Sequence, residues 1–271
     1  MRPMLNPGFR RVWRDLETVQ FGIDVENPVV VGGIGDDTAS LLERLDGSVE
    51  RATFLDQATR DGHSRERAEQ LLEALTSAGL LLDAATWPGG APLEQSARDR
   101  LAPDFAAAAL GPSRADPAAR CVTLSQVAVR VYGVGRIGAV MATLLAATGF
   151  GRVTTSDDAD VRAADVCVAG FSPDDVGQPR SRISRHVDQW QAVAAAKPRR
   201  RLAVLTDVAQ SRTLAPGLFS EGTPHLVVRC AESRGRIGPL VLPGETACLR
   251  CLDLSHIDSD PDWPRVVVQS E

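Results

Sequence analysis

"VRVYGVGRIGAVMATLLAATGFGRVTTSDDADV", Val129 to Val161, is the stretch whose reading decides the fold. It opens on a β-branched run and passes through Gly133, Gly135 and Gly138. An apolar stretch of helical length follows, and a second β-rich run then ends on Asp157 and Asp158. Strand, glycine turn, helix and strand make up a nucleotide-binding βαβ unit. The first glycine allows the tight turn, the second lets a phosphate approach the backbone, and the third lets the helix pack close to the strand. Free N–H groups at the helix start then face an anion. Asp157 and Asp158 lie about 20 residues past the last glycine, where an acid holds ribose hydroxyls. The candidate cofactor-binding set is therefore Gly133, Gly135, Arg136, Gly138, Asp157 and Asp158. The alternative is that the glycines serve only turn and packing, and the aspartates only a solvated strand end.

Strand and helix signals alternate from Val122 onward, which predicts a mainly parallel sheet. "RRRLAVLTD" reads as a strand ending on Asp207, and "PHLVVRC" and "GPLVLPG" as later strands. "ADVCVAG" reads as a short strand, and Ser172 to Ala196 as a helix after Pro173. Upstream, "RVWRDLETVQFGI" alternates with Val12, Val19, Phe21 and Ile23 inward, and "NPVVVGGI" completes a hairpin. Three helices follow. The third, capped by Ser64, puts Ala68, Leu71, Leu72 and Leu75 on one face. Gly79 ends it and "LLLDA" returns as a strand, the element order of a winged-helix unit. The expected architecture is α/β. A winged-helix-like α+β unit covers 1–84, and a Pro- and Ala-rich connector with a helix near Ser96 to Ala102 covers 85–120. A Rossmann-like α/β domain covers 121–271.

The chain has 271 residues, 44% hydrophobic and 24% charged, enough to bury a core. Its net charge of −5 argues against sequence-independent nucleic-acid binding. Residues 1–84 carry nine arginines against fifteen acids, a net −6 that phosphate would repel, so the winged-helix order does not point to DNA. No apolar run reaches the roughly 18 residues of a membrane helix, and no signal peptide is evident. The five cysteines contain only one close pair, against a secreted disulfide framework. A cytoplasmic location is expected.

The glycine-loop segment resembles the ThiF/MoeB-like adenylating proteins, relatives of ubiquitin-activating enzymes. The likeness continues through "DDVGQPRSRI", "LAVLTDVAQSR" and "RIGPLVLPGETACLRCLD", from about Val127 to Asp253. It implies ATP and magnesium held by the glycine loop and the acid, with Arg180 in the place of a phosphate-contacting lysine and Asp207 as the magnesium-side acid. Those two would be the catalytic pair of an active enzyme. Arg136 stands where the family has a small residue, and the Asn and Arg-Gln groups that clamp a triphosphate have no counterpart in "ADVRAADVCVAGF". A degenerate nucleotide site is the expectation. Cys248 and Cys251 match one CxxC of the family's zinc site, but no second CxxC follows.

The N-terminal unit, the connector and the ending "CLDLSHIDSDPDWPRVVVQ" resemble a narrower branch, the ThiF-like partner proteins of azole-forming cyclodehydratases. That resemblance implies a leader-peptide clamp in which the peptide adds as a strand and packs on a helix. It implies a precursor-peptide leader and a YcaO-type cyclodehydratase as partners, and a homodimer through the α/β domain. Position nominates Val29, Val30 and Val31 on the edge strand and Arg65, Glu69 and Leu72 on the third helix as peptide contacts.

Overall fold

The computed structural model describes all residues except 24–27, 86–94, 111–116, 192–197 and 270–271. The chain divides into two compact units, the first running to Val122 and the second from Thr123 to Glu271.

In the first unit β1 (Pro3–Leu5) pairs antiparallel with β5 (Leu81–Asp83). A separate antiparallel sheet holds β2 (Arg11–Trp13), β3 (Val19–Phe21) and β4 (Val29–Val31), in the order β2-β3-β4. Between the sheets in sequence run α1 (Asp36–Glu43), α2 (Arg51–Arg60) and α3 (Arg65–Ser77). Ser64 caps α3 by accepting from the Arg67 amide. The period of α3 buries Ala68, Leu71, Leu72 and Leu75 against Val19, Phe21, Leu41, Leu42 and Phe54. Two further helices, α4 (Gln95–Leu110) and α5 (Pro117–Ser125), occupy the stretch read as a connector; only part of α4 was expected.

One reading of this unit is corrected. "RVWRDLETVQFGI" is two three-residue strands joined by a turn, with Arg14 N–H donating to the Thr18 carbonyl. The alternation restarts across that turn. Val19 and Phe21 point inward as expected, while Val12 is 41% and Ile23 63% exposed. The strand β1 carries no sequence signal of its own, since three residues are too few to show a period.

The second unit is a five-stranded sheet of order β10-β9-β8-β6-β7. Its strands are β6 (Val127–Tyr132), β7 (Arg152–Ser156), β8 (Arg200–Leu205), β9 (His225–Ala231) and β10 (Arg234–Val241). The first four run parallel and β10 returns antiparallel to β9. Its helices are α6 (Arg136–Ala147), α7 (Ile183–Asp188), α8 (Val208–Ser220), α9 (Leu249–Ser259) and α10 (Trp263–Gln269). The core gathers Val129, Val131 and Val153 from the strands with Ala139, Ala142 and Ala146 of α6. Ala203, Leu205 and Val227 meet Ala215 and Leu218 of α8 in a second cluster. Strand β6 lies between β7 and β8, so the chain leaves the sheet in opposite directions at its C-terminal edge. In open α/β sheets that switch point is where ligands bind.

Two further expectations give way. "ADVCVAG" is not a strand; it holds a 3-10 turn at Ala163–Asp165 and a single bridge from Val166 to Phe171. Ser172 to Ala196 is not one helix. Within its described part, Gly177 at φ +81° and Pro179 break the run into 3-10 turns, leaving α7 as the only α-helical piece. Among the described residues no helix is long and apolar enough to cross a membrane.

Candidate functional site

Tyr132 ends β6, and Gly133 turns the chain at φ +80°, where L side chains are strained. A Cβ at Gly133 would sit 2.7 Å from Cβ of Asp207. A Cβ at Gly138 would fall within the van der Waals radius of the Gly133 carbonyl oxygen. These two glycines are thus fixed by the close approach of α6, β6 and the end of β8. Thr206 secures the same corner, its hydroxyl donating to the carbonyls of Tyr132 and Gly133. Asp207 caps α8 with Oδ1 on the Gln210 amide at 2.9 Å.

Gly135 differs. Its Cβ would meet Oδ1 of Asp165 at 3.4 Å and Nη2 of Arg180 at 3.8 Å. The space in front of the second glycine is therefore lined by a carboxylate and a guanidinium of this chain. Arg180 donates from Nη1 to Asp157 at 3.0 Å, from Nη2 to Asp165 at 2.7 Å and from Nε to Asp165 at 3.2 Å. The three side chains are 12%, 3% and 9% exposed, so the ions are largely withdrawn from water. Asp157 also accepts from the Val134 amide of the glycine loop at 2.5 Å and from the Ala159 amide at 2.9 Å. Asp165 accepts from the Arg162 amide at 2.9 Å. Burial opposes ionisation of Asp165, but that amide and the guanidinium outweigh it and hold its carboxyl below the usual range. Burial likewise opposes the charge on Arg180, and the two carboxylates more than offset it. Two carboxylates against one guanidinium leave this cluster one negative charge beside the loop.

Of the sequence candidates, Gly133, Gly135, Gly138, Asp157, Arg180 and Asp207 come together at the switch point. Asp158 is exposed and Arg136 reaches along the neighbouring turn, Nη1 donating to the Ala164 carbonyl at 3.3 Å. Asp165 and Thr206 were missed. Asp165 belongs to no motif, and its role depends on a contact with Arg180 through irregular backbone; Thr206 precedes the flagged Asp207, but its tie to the loop is tertiary.

In the first unit β4 is one edge of its sheet and β2 the other; on β4, Val30 is 43% exposed and Val29 and Val31 pack on the core. Arg14 pairs with Thr18, and the Gly22 amide donates to the Arg10 carbonyl, so Gln20 faces β2 in the antiparallel alternation. Val19 and Phe21 then serve β4, and the N–H and C=O of Val30 point away from the sheet. On α3, Arg65 is paired to Asp56 at 2.8 Å and Glu69 at 3.3 Å. Leu72 is only 3% exposed, within the core.

Cys248 N-caps α9 and its sulfur lies 3.5 Å from that of Cys251. The Cys251 amide and thiol hold Cys248 below the usual thiol range. Zinc does not fit. Two thiols need two more ligands, His256 stacks on Trp263, and among the described residues no three His, Cys, Asp or Glu side chains are grouped for a metal.

Residues 112–189 match the model of the ThiF family. Among solved structures, the microcin C7 biosynthetic enzyme MccB in complex with N-formylated MccA superposes with a TM-score of 0.69 at 14% identity, over 94% of this chain and 76% of that one. E. coli MccB with ATP gives 0.67 at 14% identity, over 96% and 81%. PaaA gives 0.68 at 15% identity, over 90% and 79%. No curated protein matches the sequence. The α/β half is thus ThiF-type in fold, and the family match covers its glycine loop and the segment that carries Arg180.

Proposed function

We propose that this chain is a peptide-recognition protein of ribosomal peptide modification. Its first unit docks a leader peptide on β4 and α3. Its α/β unit is a ThiF-type frame that has given up adenylyl transfer, and the peptide is presented to a separate ATP-using cyclodehydratase of the YcaO type. The carrying observation is the ion cluster at the glycine loop. Arg180, the cation that the family resemblance assigns to phosphate, is committed to Asp157 and Asp165. A triphosphate would have to displace internal carboxylates and meet a cluster of net negative charge. Adenylyl transfer needs the opposite, positive groups arranged around the phosphates, each worth about 2–4 kcal/mol of transition-state stabilisation. The peptide half of the proposal is supported by the outward amide and carbonyl of Val30 on a strand at the end of its sheet among the described residues, the arrangement strand addition uses. It is further supported by the likeness, over nearly the whole chain, to the biosynthetic enzyme MccB solved in complex with N-formylated MccA.

A second reading, an adenylyltransferase acting on a C-terminal carboxylate, is favoured by the likeness to MccB solved with ATP and by the three glycines and Asp207 at the switch point. One pair of measurements separates them. Fluorescence anisotropy with the labelled leader of a precursor peptide encoded beside this gene should show saturable binding. The same protein, mixed with that peptide, ATP, magnesium and labelled pyrophosphate, should give no exchange. Peptide-dependent exchange would establish the enzyme; absence of leader binding would remove the clamp.

A further inference from the structure

The CxxC at the start of α9 is used neither by the glycine loop nor by the β4 edge. We infer that Cys248 and Cys251 form a reversible dithiol–disulfide couple that reacts with low-molecular-weight disulfides. Their sulfurs are 3.5 Å apart, within a short approach of the about 2.05 Å that a disulfide needs. Access is open on both sides. Cys251 is exposed, and Cys248 lines a groove shared with Pro216, Phe219, Leu249 and Arg250. The donor set excludes the competing use of the pair, since no third ligand stands near enough to complete a metal site among the described residues. None of the other cysteines shares this geometry: Cys121 is buried, Cys167 contacts the Arg136 carbonyl, and Cys230 contacts the Glu232 carbonyl.

The chemistry is two exchanges. The Cys248 thiolate attacks one sulfur of the small disulfide; a bond forms to Cys248, the S–S bond of the reagent breaks, and one thiolate leaves and takes a proton from water. Cys251 then gives its proton to water and attacks Sγ of Cys248, closing the protein disulfide and expelling the second thiolate, which is protonated in turn. Two electrons pass from the dithiol to the reagent, which is reduced to two thiols.

Arg250 lies between the two cysteines, which makes the product easy to read. The full chain is incubated with oxidised glutathione, remaining thiols are alkylated, and trypsin is added. A Cys248–Cys251 disulfide keeps peptides 237–250 and 251–265 joined, two hydrogens lighter than their sum, and dithiothreitol separates them. Cys251→Ser should abolish the joined species and leave Cys248 carrying glutathione. Cys248→Ser should also abolish it. Exposed Cys230, glutathionylated in all three proteins, reports that each was challenged equally. Recovery of 237–250 and 251–265 as free peptides, whether alkylated or each carrying glutathione, would overturn the inference. So would one tightly held zinc per chain that shields both thiols.

Discussion

Arg180 is the residue on which the second unit's chemistry turns. It is 12% exposed and makes three hydrogen bonds to two carboxylates that are more buried still. Removing one member of a buried ion group leaves the others uncompensated, at a cost of about 3–5 kcal/mol. Arg180→Met should therefore lower the unfolding free energy measured by urea titration by that order, while Arg182→Met, half-exposed on the same turn, should change it little. A fall confined to ATP affinity, with stability intact, would instead mean that Arg180 serves a ligand. The pH dependence follows from Asp165, whose folded value lies below its ordinary 3.8. A group depressed on folding adds stability in full above its unfolded value and loses it as pH falls through the folded one. The thermal midpoint of the wild type should thus drop on acidification below about pH 4, and Asp165→Asn should start lower but decline less over the same interval. Parallel declines in the two proteins would show that Asp165 is not part of the acid response.

The β4 edge has a test at the scale of the element. Proline in a strand removes a ladder bond only where its N–H faces a partner. The Val30 N–H faces outward, so Val30→Pro keeps the β3–β4 pairing and deletes one donor from a docking strand. Leader affinity should fall roughly tenfold, the worth of about one hydrogen bond, with little change in thermal midpoint. Val31→Pro, which breaks the pairing with Val19, should lower the midpoint itself. Equal affinity for Val30→Pro and wild type would remove strand addition from the account. Elements of this kind were legible in the sequence where local chemistry dictates geometry. The glycine turn was readable because Gly133 and Gly138 have no room for a Cβ, and α3 because its period and the Ser64 cap agree. The segment from Ser172 was misread because its residues favour a helix, whereas Gly177, Pro179 and the bridge from Asp160 to Pro179 fold it back toward the end of β7. That return path brings Arg180 to Asp157 and Asp165, a long-range contact with no periodic signature.

Over the whole molecule, charge is divided unevenly. Residues 1–84 carry −6 while the chain totals −5, so the remainder is close to neutral. A peptide that docks on the first unit therefore meets a unit of net negative charge, and complementarity calls for a recognised segment with net positive charge. Such attraction acts mainly through exposed groups and is screened within about 10 Å at 0.1 M salt. Backbone pairing to Val30 and apolar contact with its side chain are far less sensitive. Leader affinity measured by anisotropy should thus weaken several-fold between about 50 and 500 mM salt, chiefly through slower association. The decline should not reach zero binding, because the strand pairing persists. A leader whose affinity is unchanged across that range would show that the acidic unit contributes only solubility and that the β4 edge alone selects its partner. An affinity that rises with salt would show that the recognised segment is itself acidic and repelled by the first unit, and would remove charge complementarity from the account.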